Sequence, residues 1–332
     1  MNDGKTMAPP VPVQSRPPAG INAGAWLGGA ILLAIAVLPL LVRNAFLTHL
    51  AIMVCINAII VSGLSLLARS GQISLCQGAF VGIGAYMSVL MTLGLNLPFI
   101  LGVAVAVLSA GLVAWLLGAI MLRLTGVYFV LLTFAFGQLV YLVFLEWDSV
   151  TGGANGIPGI PPAGIFGFAF DGKPSFYCLA LVLTLGVFLL LRAIYRSPAG
   201  HAIDSVGENA KLAEASGISV RGTQLFALTL SGAIAGLGGS LIAHYTNYIS
   251  PESFNMNESV TLIIIMVVGG RKSLLGPLIG AMVMTPLPEL FRGAVESQNI
   301  YYGVALILML RFLPLGLASL PSRGRRKQEI RA

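Results

Sequence analysis

The sequence predicts an all-α, polytopic integral membrane protein with about 8–10 transmembrane helices and both termini on the inner side (N-in, C-in). Three observations predict it. Apolar residues (Ala, Val, Ile, Leu, Met, Phe, Trp, Tyr, Cys) make up 57% of the 332 residues, whereas Asp, Glu, Lys and Arg make up 9%, against about 25% charged in soluble domains. Apolar runs of membrane-crossing length recur along the chain. Lys and Arg gather in alternate connecting segments, as the positive-inside rule requires.

Met1–Ala23 is polar and carries Pro9, Pro10, Pro12, Pro17 and Pro18. It lacks an apolar signal core with a cleavage site and reads as a disordered cytoplasmic tail. Ten candidate spans follow. The first five are Gly24–Val42, Phe46–Ala68, Gln72–Leu95, Pro98–Leu122 and Gly126–Leu145. The later five are Ser175–Ile194, Gln224–Ala243, Asn257–Gly270, Leu274–Phe291 and Ile300–Pro314. The third is Gly-rich and polar and the eighth is short, so these two are the candidates for broken or re-entrant segments.

Orientation follows from charge. With the N-terminus inside, every Lys and Arg except Arg43, Lys173 and Arg292 falls on the cytoplasmic side. The basic C-terminal tail is thus a topology signal, with the lipid bilayer as a minor contact and no nucleic-acid partner expected. Cys55, Cys76 and Cys178 sit in apolar stretches and have no metal or disulfide spacing.

Tyr195–Gly222 is a polar island between two long apolar runs. Within it Ser205–Gly217 reads as a helix, with Ser205 and Glu208 spaced as a capping box and Gly217 at the C′ position. Val206, Ala210, Ala213 and Gly217 form a narrow small-residue stripe flanked by charge. Such a stripe suits close fitting into a protein groove better than insertion into lipid, which favours bulky apolar residues.

Gly78 and Gly82, Gly232 and Gly236, and Gly276 and Gly280 each stand four residues apart, the spacing that lets membrane helices approach closely. Asn57, Gln72, Gln77 and Gln138 are polar groups inside spans, which either bond between helices or line a pathway. Gly71-Gln-Ile-Ser-Leu75 is echoed by Gly270-Arg-Lys-Ser-Leu274, a faint sign of an internal repeat. Ionisable groups inside spans are scarce, limited to Glu258 and Glu289 near span ends, which disfavours a proton- or sodium-coupled carrier.

The energy source is not in this chain. Gly269–Ser273 departs from a phosphate loop, with Arg271 where the second glycine is needed. His49, His201 and His244 are scattered without a nucleophile–base pairing, so no enzyme activity is read. The island then suits a docking helix for a separate cytoplasmic motor subunit.

Together these motifs resemble the branched-chain amino acid ABC transporter permeases of LivM type, over about Gly63–Pro314. The resemblance rests on Ser70-Gly-Gln-Ile-Ser-Leu-Cys-Gln-Gly-Ala-Phe-Val-Gly-Ile-Gly-Ala-Tyr86 and on Thr151-Gly-Gly-Ala-Asn-Gly-Ile157. It rests also on Glu208 with Ala213-Glu-Ala-Ser-Gly-Ile218, and on Val268-Gly-Gly-Arg-Lys-Ser-Leu-Leu-Gly-Pro-Leu-Ile-Gly280. Cys76 replaces a usual Gly, and His201 stands where Arg is common.

The resemblance implies a permease subunit of an ATP-driven importer for branched-chain or related hydrophobic amino acids, in the bacterial inner membrane. Ser205, Glu208, Ala213, Glu214 and Gly217 then belong to a coupling loop (195–222) within a permease domain (24–318), followed by a basic tail (319–332). Implied partners are a sister permease, two cytoplasmic ATP-binding subunits and an external or periplasmic solute-binding protein. ATP and Mg would be used by those partners, and no cofactor by this chain. The alternative is a self-sufficient channel or carrier for a small neutral solute such as urea or an amide.

Overall fold

The computed structural model describes residues 44–290, apart from 125, 166 and 167, together with Gly303. The spans expected at Gly24–Val42 and Ile300–Pro314, and both tails, lie outside the described residues. Among those described, six helices are long and apolar enough to cross a membrane. They are α1 (Ala45–Arg69), α2 (Gln77–Val89, prolonged to Gly94 by a π turn), α3 (Phe99–Met121), α4 (Val127–Glu146), α6 (Lys173–Arg196) and α9 (Val220–Thr246). The protein is thus an all-α polytopic membrane protein.

Shorter elements fill the connections. α5 (Asp148–Thr151), a 3-10 turn at Gly153–Asn155 and three two-residue strands lie between α4 and α6. The strands are β1 (Ile157–Pro158), β2 (Gly164–Ile165) and β3 (Phe168–Ala169). The polar island forms α7 (Pro198–Glu208) and α8 (Ala210–Ala215). β4 (Tyr248–Ile249) pairs antiparallel with β1, setting Ile157 opposite Ile249, while β2 and β3 form a separate hairpin. After a 3-10 turn at Pro251–Phe254 come α10 (Met256–Gly269), α11 (Gly276–Met284) and α12 (Pro286–Leu290).

Among the described residues α1 is the most enclosed spanning helix, with 83% of an 18-residue apolar stretch buried. It packs against α6, α9, α10 and α11. By contrast α4 is only 22% buried over such a stretch and presents Leu131, Leu139 and Leu142 outward. An apolar outward face needs no covering when the solvent is hydrocarbon.

The third and ninth of the expected spans are interrupted, and the eighth is short. The third begins as helix only at Gln77, because Gly71 turns the chain at φ +86 after α1. Irregular backbone from Gln72 to Cys76 then runs inside the protein, where the Leu75 N–H donates to Thr133 Oγ1 at 3.2 Å. The eighth becomes α10, whose 14 residues span only about 21 Å. The ninth is divided into α11 and α12 at Thr285–Pro286.

The faint sequence echo has a geometric counterpart. Gly71 and Gly270 both adopt positive φ, at +86 and +103, directly beyond a helix. The next helix starts at Gln77 and Gly276, the same distance along the chain from each glycine. Ser65 Oγ donates to the Arg271 carbonyl at 3.1 Å, which ties the two turns at one end of the bundle.

Candidate functional site

The end of the bundle that holds Arg69, Arg221 and Lys272 also carries the polar island. Pro198 opens α7 at a position where its missing N–H costs nothing. The helix runs to Glu208 and is broken by Asn209, which lies in extended conformation and accepts from Leu212 N–H at 3.1 Å to cap α8. Gly217 adopts φ +83, and the Ile218 N–H returns to the Ala213 carbonyl at 3.0 Å. Ser219 then caps α9 through Gly222 N–H.

Two sequence expectations need correction here. The Ser205–Glu208 capping box does not form: both residues lie within α7, and Ser205 Oγ donates back to the His201 carbonyl at 2.9 Å. Asn209, an equally good cap type, takes that role one turn later. Val206 and Ala213 of the small-residue stripe also face the other way, while Ala210 is half-buried and Gly217 exposed. Val206 and Ala213 are 3% and 4% exposed, because burying their apolar surface against the bundle leaves the polar side outward. Ala213 therefore shapes the segment from within, and it offers no outward contact.

The outward face is made by His201, Ser205, Glu208, Lys211, Leu212 and Glu214. Leu212 is 65% exposed at a polar end of the molecule. Glu208 pairs with Lys272 of the α10–α11 turn at 3.3 Å, with both side chains exposed. Pairs of that kind contribute little stability, roughly 0–1 kcal/mol. Sequence reasoning did not single out Leu212.

The inward face is fastened more firmly. Asp204 of α7 accepts two hydrogen bonds from Arg69 at the end of α1, at 2.9 and 2.8 Å. Gly207 lies against the Arg69 carbonyl so closely that a Cβ would not fit. Neither Asp204 nor Gly207 carries a sequence signal, since their partner is more than a hundred residues away.

The polar groups within the spans separate into different roles. Gln77 is fully enclosed, donates to the Ile60 carbonyl at 3.3 Å and accepts from Ser231 Oγ at 3.3 Å. It joins α1, α2 and α9, which is the interhelix bonding that the sequence left open beside pathway lining. Asn57 donates to Thr285 Oγ1 at 3.0 Å and is half-buried. Gln72 is 5% exposed in the irregular segment, and Gln138 is half-buried on α4.

The paired glycines sit where backbones meet. Gly78 donates to Ser259 Oγ at 2.9 Å, and Gly82 lies against Phe144 and Phe254. Gly232 and Gly236 face Ala110, with Ala114 and Ala106 on either side, across the α3–α9 contact. Gly276 rests on the Gly270 carbonyl and Gly280 on that of Ile265, closing the α10–α11 hairpin.

The opposite end is organised around His244. Its Nδ1 faces the Pro161 carbonyl at 2.8 Å and its Nε2 faces Ser88 Oγ at 3.1 Å. A carbonyl only accepts, so Nδ1 carries the proton and Nε2 accepts from Ser88. Asn247 donates to the Ile160 carbonyl at 2.8 Å, pinning the same Gly- and Pro-rich segment.

Comparison with known proteins agrees with this architecture. The family described as "Branched-chain amino acid transport system / permease component" matches residues 46–313. The high-affinity branched-chain amino acid transport system permease protein LivM of Escherichia coli (strain K12) is 31% identical over 296 residues, 82% of this chain and 68% of the relative. LivM of Salmonella typhimurium (strain LT2) is 31% identical over 292 residues, 81% of this chain and 69% of the relative. A probable branched-chain amino acid transport permease protein LivH of Methanocaldococcus jannaschii is 32% identical over 124 residues, 37% of this chain and 35% of the relative. No solved structure matches the chain. A match over most of the length, from the start of α1 through the described bundle, identifies the chain as a member of the branched-chain amino acid ABC transporter permeases of LivM type.

Proposed function

We propose that this chain is one membrane-spanning half of an ATP-driven importer for branched-chain or related hydrophobic amino acids in the bacterial inner membrane. In this reading it catalyses no chemistry. A sister permease completes the pathway, a solute-binding protein delivers cargo at the His244 end, and two ATP-binding subunits engage the other end. The observation that carries the reading is the α7–α8 segment, an ordered pair of short helices outside the spans. It shows Glu208, Lys211, Leu212 and Glu214 outward while Asp204, Val206 and Ala213 hold it to the bundle. A loop serving only as a connector has no need of such fastening. An exposed Leu212 amid charged residues supplies the apolar centre and polar rim expected of a docking surface.

The test is capture of the ATP-binding subunits from membranes by the intact permease, followed by uptake in liposomes. Glu208→Lys and Gly217→Val are expected to weaken capture and uptake while the protein still inserts. Uptake by the purified chain alone, without ATP or partners, would sink the proposal in favour of a self-sufficient channel.

A further inference from the structure

The docking segment is joined covalently to the spans at two places, Ser197 after α6 and Gly217–Ser219 before α9. The structure adds a third, non-covalent junction, and it leads to a different helix. Arg69, the last residue of α1, donates from Nε to Asp204 Oδ1 at 2.9 Å and from Nη2 to Oδ2 at 2.8 Å. Its guanidinium lies 3.9 Å from the centre of the Tyr195 ring on α6. The Arg69 side chain is only 13% exposed. A planar guanidinium held by a two-point pair on one edge and an aromatic face below has one orientation available, unlike a flexible surface pair.

Backbone contact reinforces the junction. Gly207 sits against the Arg69 carbonyl, and a Cβ on Gly71 would lie 3.5 Å from the Gly207 Cα. α7 is therefore keyed to the α1 terminus by side chain and main chain together. It cannot shift without moving Arg69 or breaking the pair, which leaves the mostly buried Arg69 guanidinium without its carboxylate. α1 in turn is the most enclosed spanning helix and touches α6, α9, α10 and α11.

We infer that Arg69 is a positioning residue of the transport cycle, making α1 the helix that receives the displacement of the docking segment. The inference rests on the reading of α7–α8 as that segment. Displacement delivered to α1 reaches the α2 entry through the Gly71 turn and the α10–α11 hairpin through Ser65 and Arg271. Displacement delivered only through the covalent links would reach α6 and α9 first.

Spin labels at the outward-facing positions Phe46 on α1 and Leu108 on α3 test this in the complete transporter, with all partner subunits present. The distance between them is measured with and without trapping the ATP-binding subunits by ATP and vanadate. The wild-type distance is expected to change on trapping, and Arg69→Gln is expected to abolish the change while the ATP-binding subunits are still captured. Exchanging the pair, as Arg69→Asp with Asp204→Arg, is expected to restore it. Should Arg69→Gln fail to reach the membrane, Asp204→Asn carries the same expectation from the more exposed side of the pair. An unmoved α1 in the wild type, or a full change in both single variants, overturns the inference. Loss of capture by Glu208→Lys alongside an intact α1 response in Arg69→Gln removes only the relay. Unaltered capture in Glu208→Lys removes the docking reading beneath it.

Discussion

Gly84 of α2 and Gly236 of α9 meet backbone to backbone, leaving no space for a Cβ on Gly84. In the same interface Gly239 lies on the Val81 carbonyl, and across the α1–α9 contact a Cβ on Gly63 would stand 2.9 Å from the Ser231 carbonyl. Inside hydrocarbon, helices gain nothing from hydrophobic association, so close main-chain approach supplies the packing energy. Gly84→Val is expected to separate α2 from α9 at a cost of about 1–3 kcal/mol or more. Lower thermal stability in detergent and lower membrane abundance check this, and an unchanged melting temperature would refute the contact.

Gln77 is the one polar group that bridges Ile60 of α1 and Ser231 of α9. Gln77→Leu strands a buried hydroxyl and removes a partner from a buried carbonyl, with an expected loss of about 1–3 kcal/mol. Because the amide is enclosed and bonded between helices, the surviving protein should keep the wild-type KM for the transported solute. A raised KM at unchanged stability would return Gln77 to the pathway.

His244 couples the Pro161 segment to Ser88 of α2, with Ser88 bonded in turn to Ser240 at 2.8 Å. His244→Leu is expected to release the 151–165 segment and to cost about 1–3 kcal/mol. Faster limited proteolysis of that segment is the expected readout. His244→Gln, which can retain one of the two hydrogen bonds, should fall between.

The cap between α7 and α8 distinguishes Asn209 from Ser205. Asn209→Ala removes the Leu212 hydrogen bond and should cost about 1 kcal/mol of local stability, whereas Ser205→Ala should change stability by under about 0.5 kcal/mol. Amide exchange across residues 198–217 reports both. Equal protection in the two variants would show that Asn209 does not hold the break.

The spans were legible because each is a local run of apolar residues, and the lipid requirement acts on each separately. Phe46–Ala68, Pro98–Leu122 and Ser175–Ile194 each match an observed helix to within a few residues. The doubtful third and eighth runs were marked by glycine, polarity and shortness; the third opens with irregular backbone, and the eighth is a short continuous helix. The C′ role of Gly217 was legible because a terminating glycine is a local requirement of the backbone. The capping box was misplaced because Ser205 and Asn209 are both competent caps. α7 continues through Ser205 to Glu208 with Ile203 and Val206 buried against the bundle and Asp204 bonded to Arg69.

Composition, run length, charge distribution and the order of short motifs along this one chain determined an all-α membrane protein and its family resemblance. Each of those signals is local or additive. The tertiary structure alone decided which side of α7–α8 faces outward, which amide is a strut, and that Arg69 meets Asp204. Those depend on residues separated by a hundred positions or more being brought within bonding distance, and no periodicity along the chain encodes such a distance.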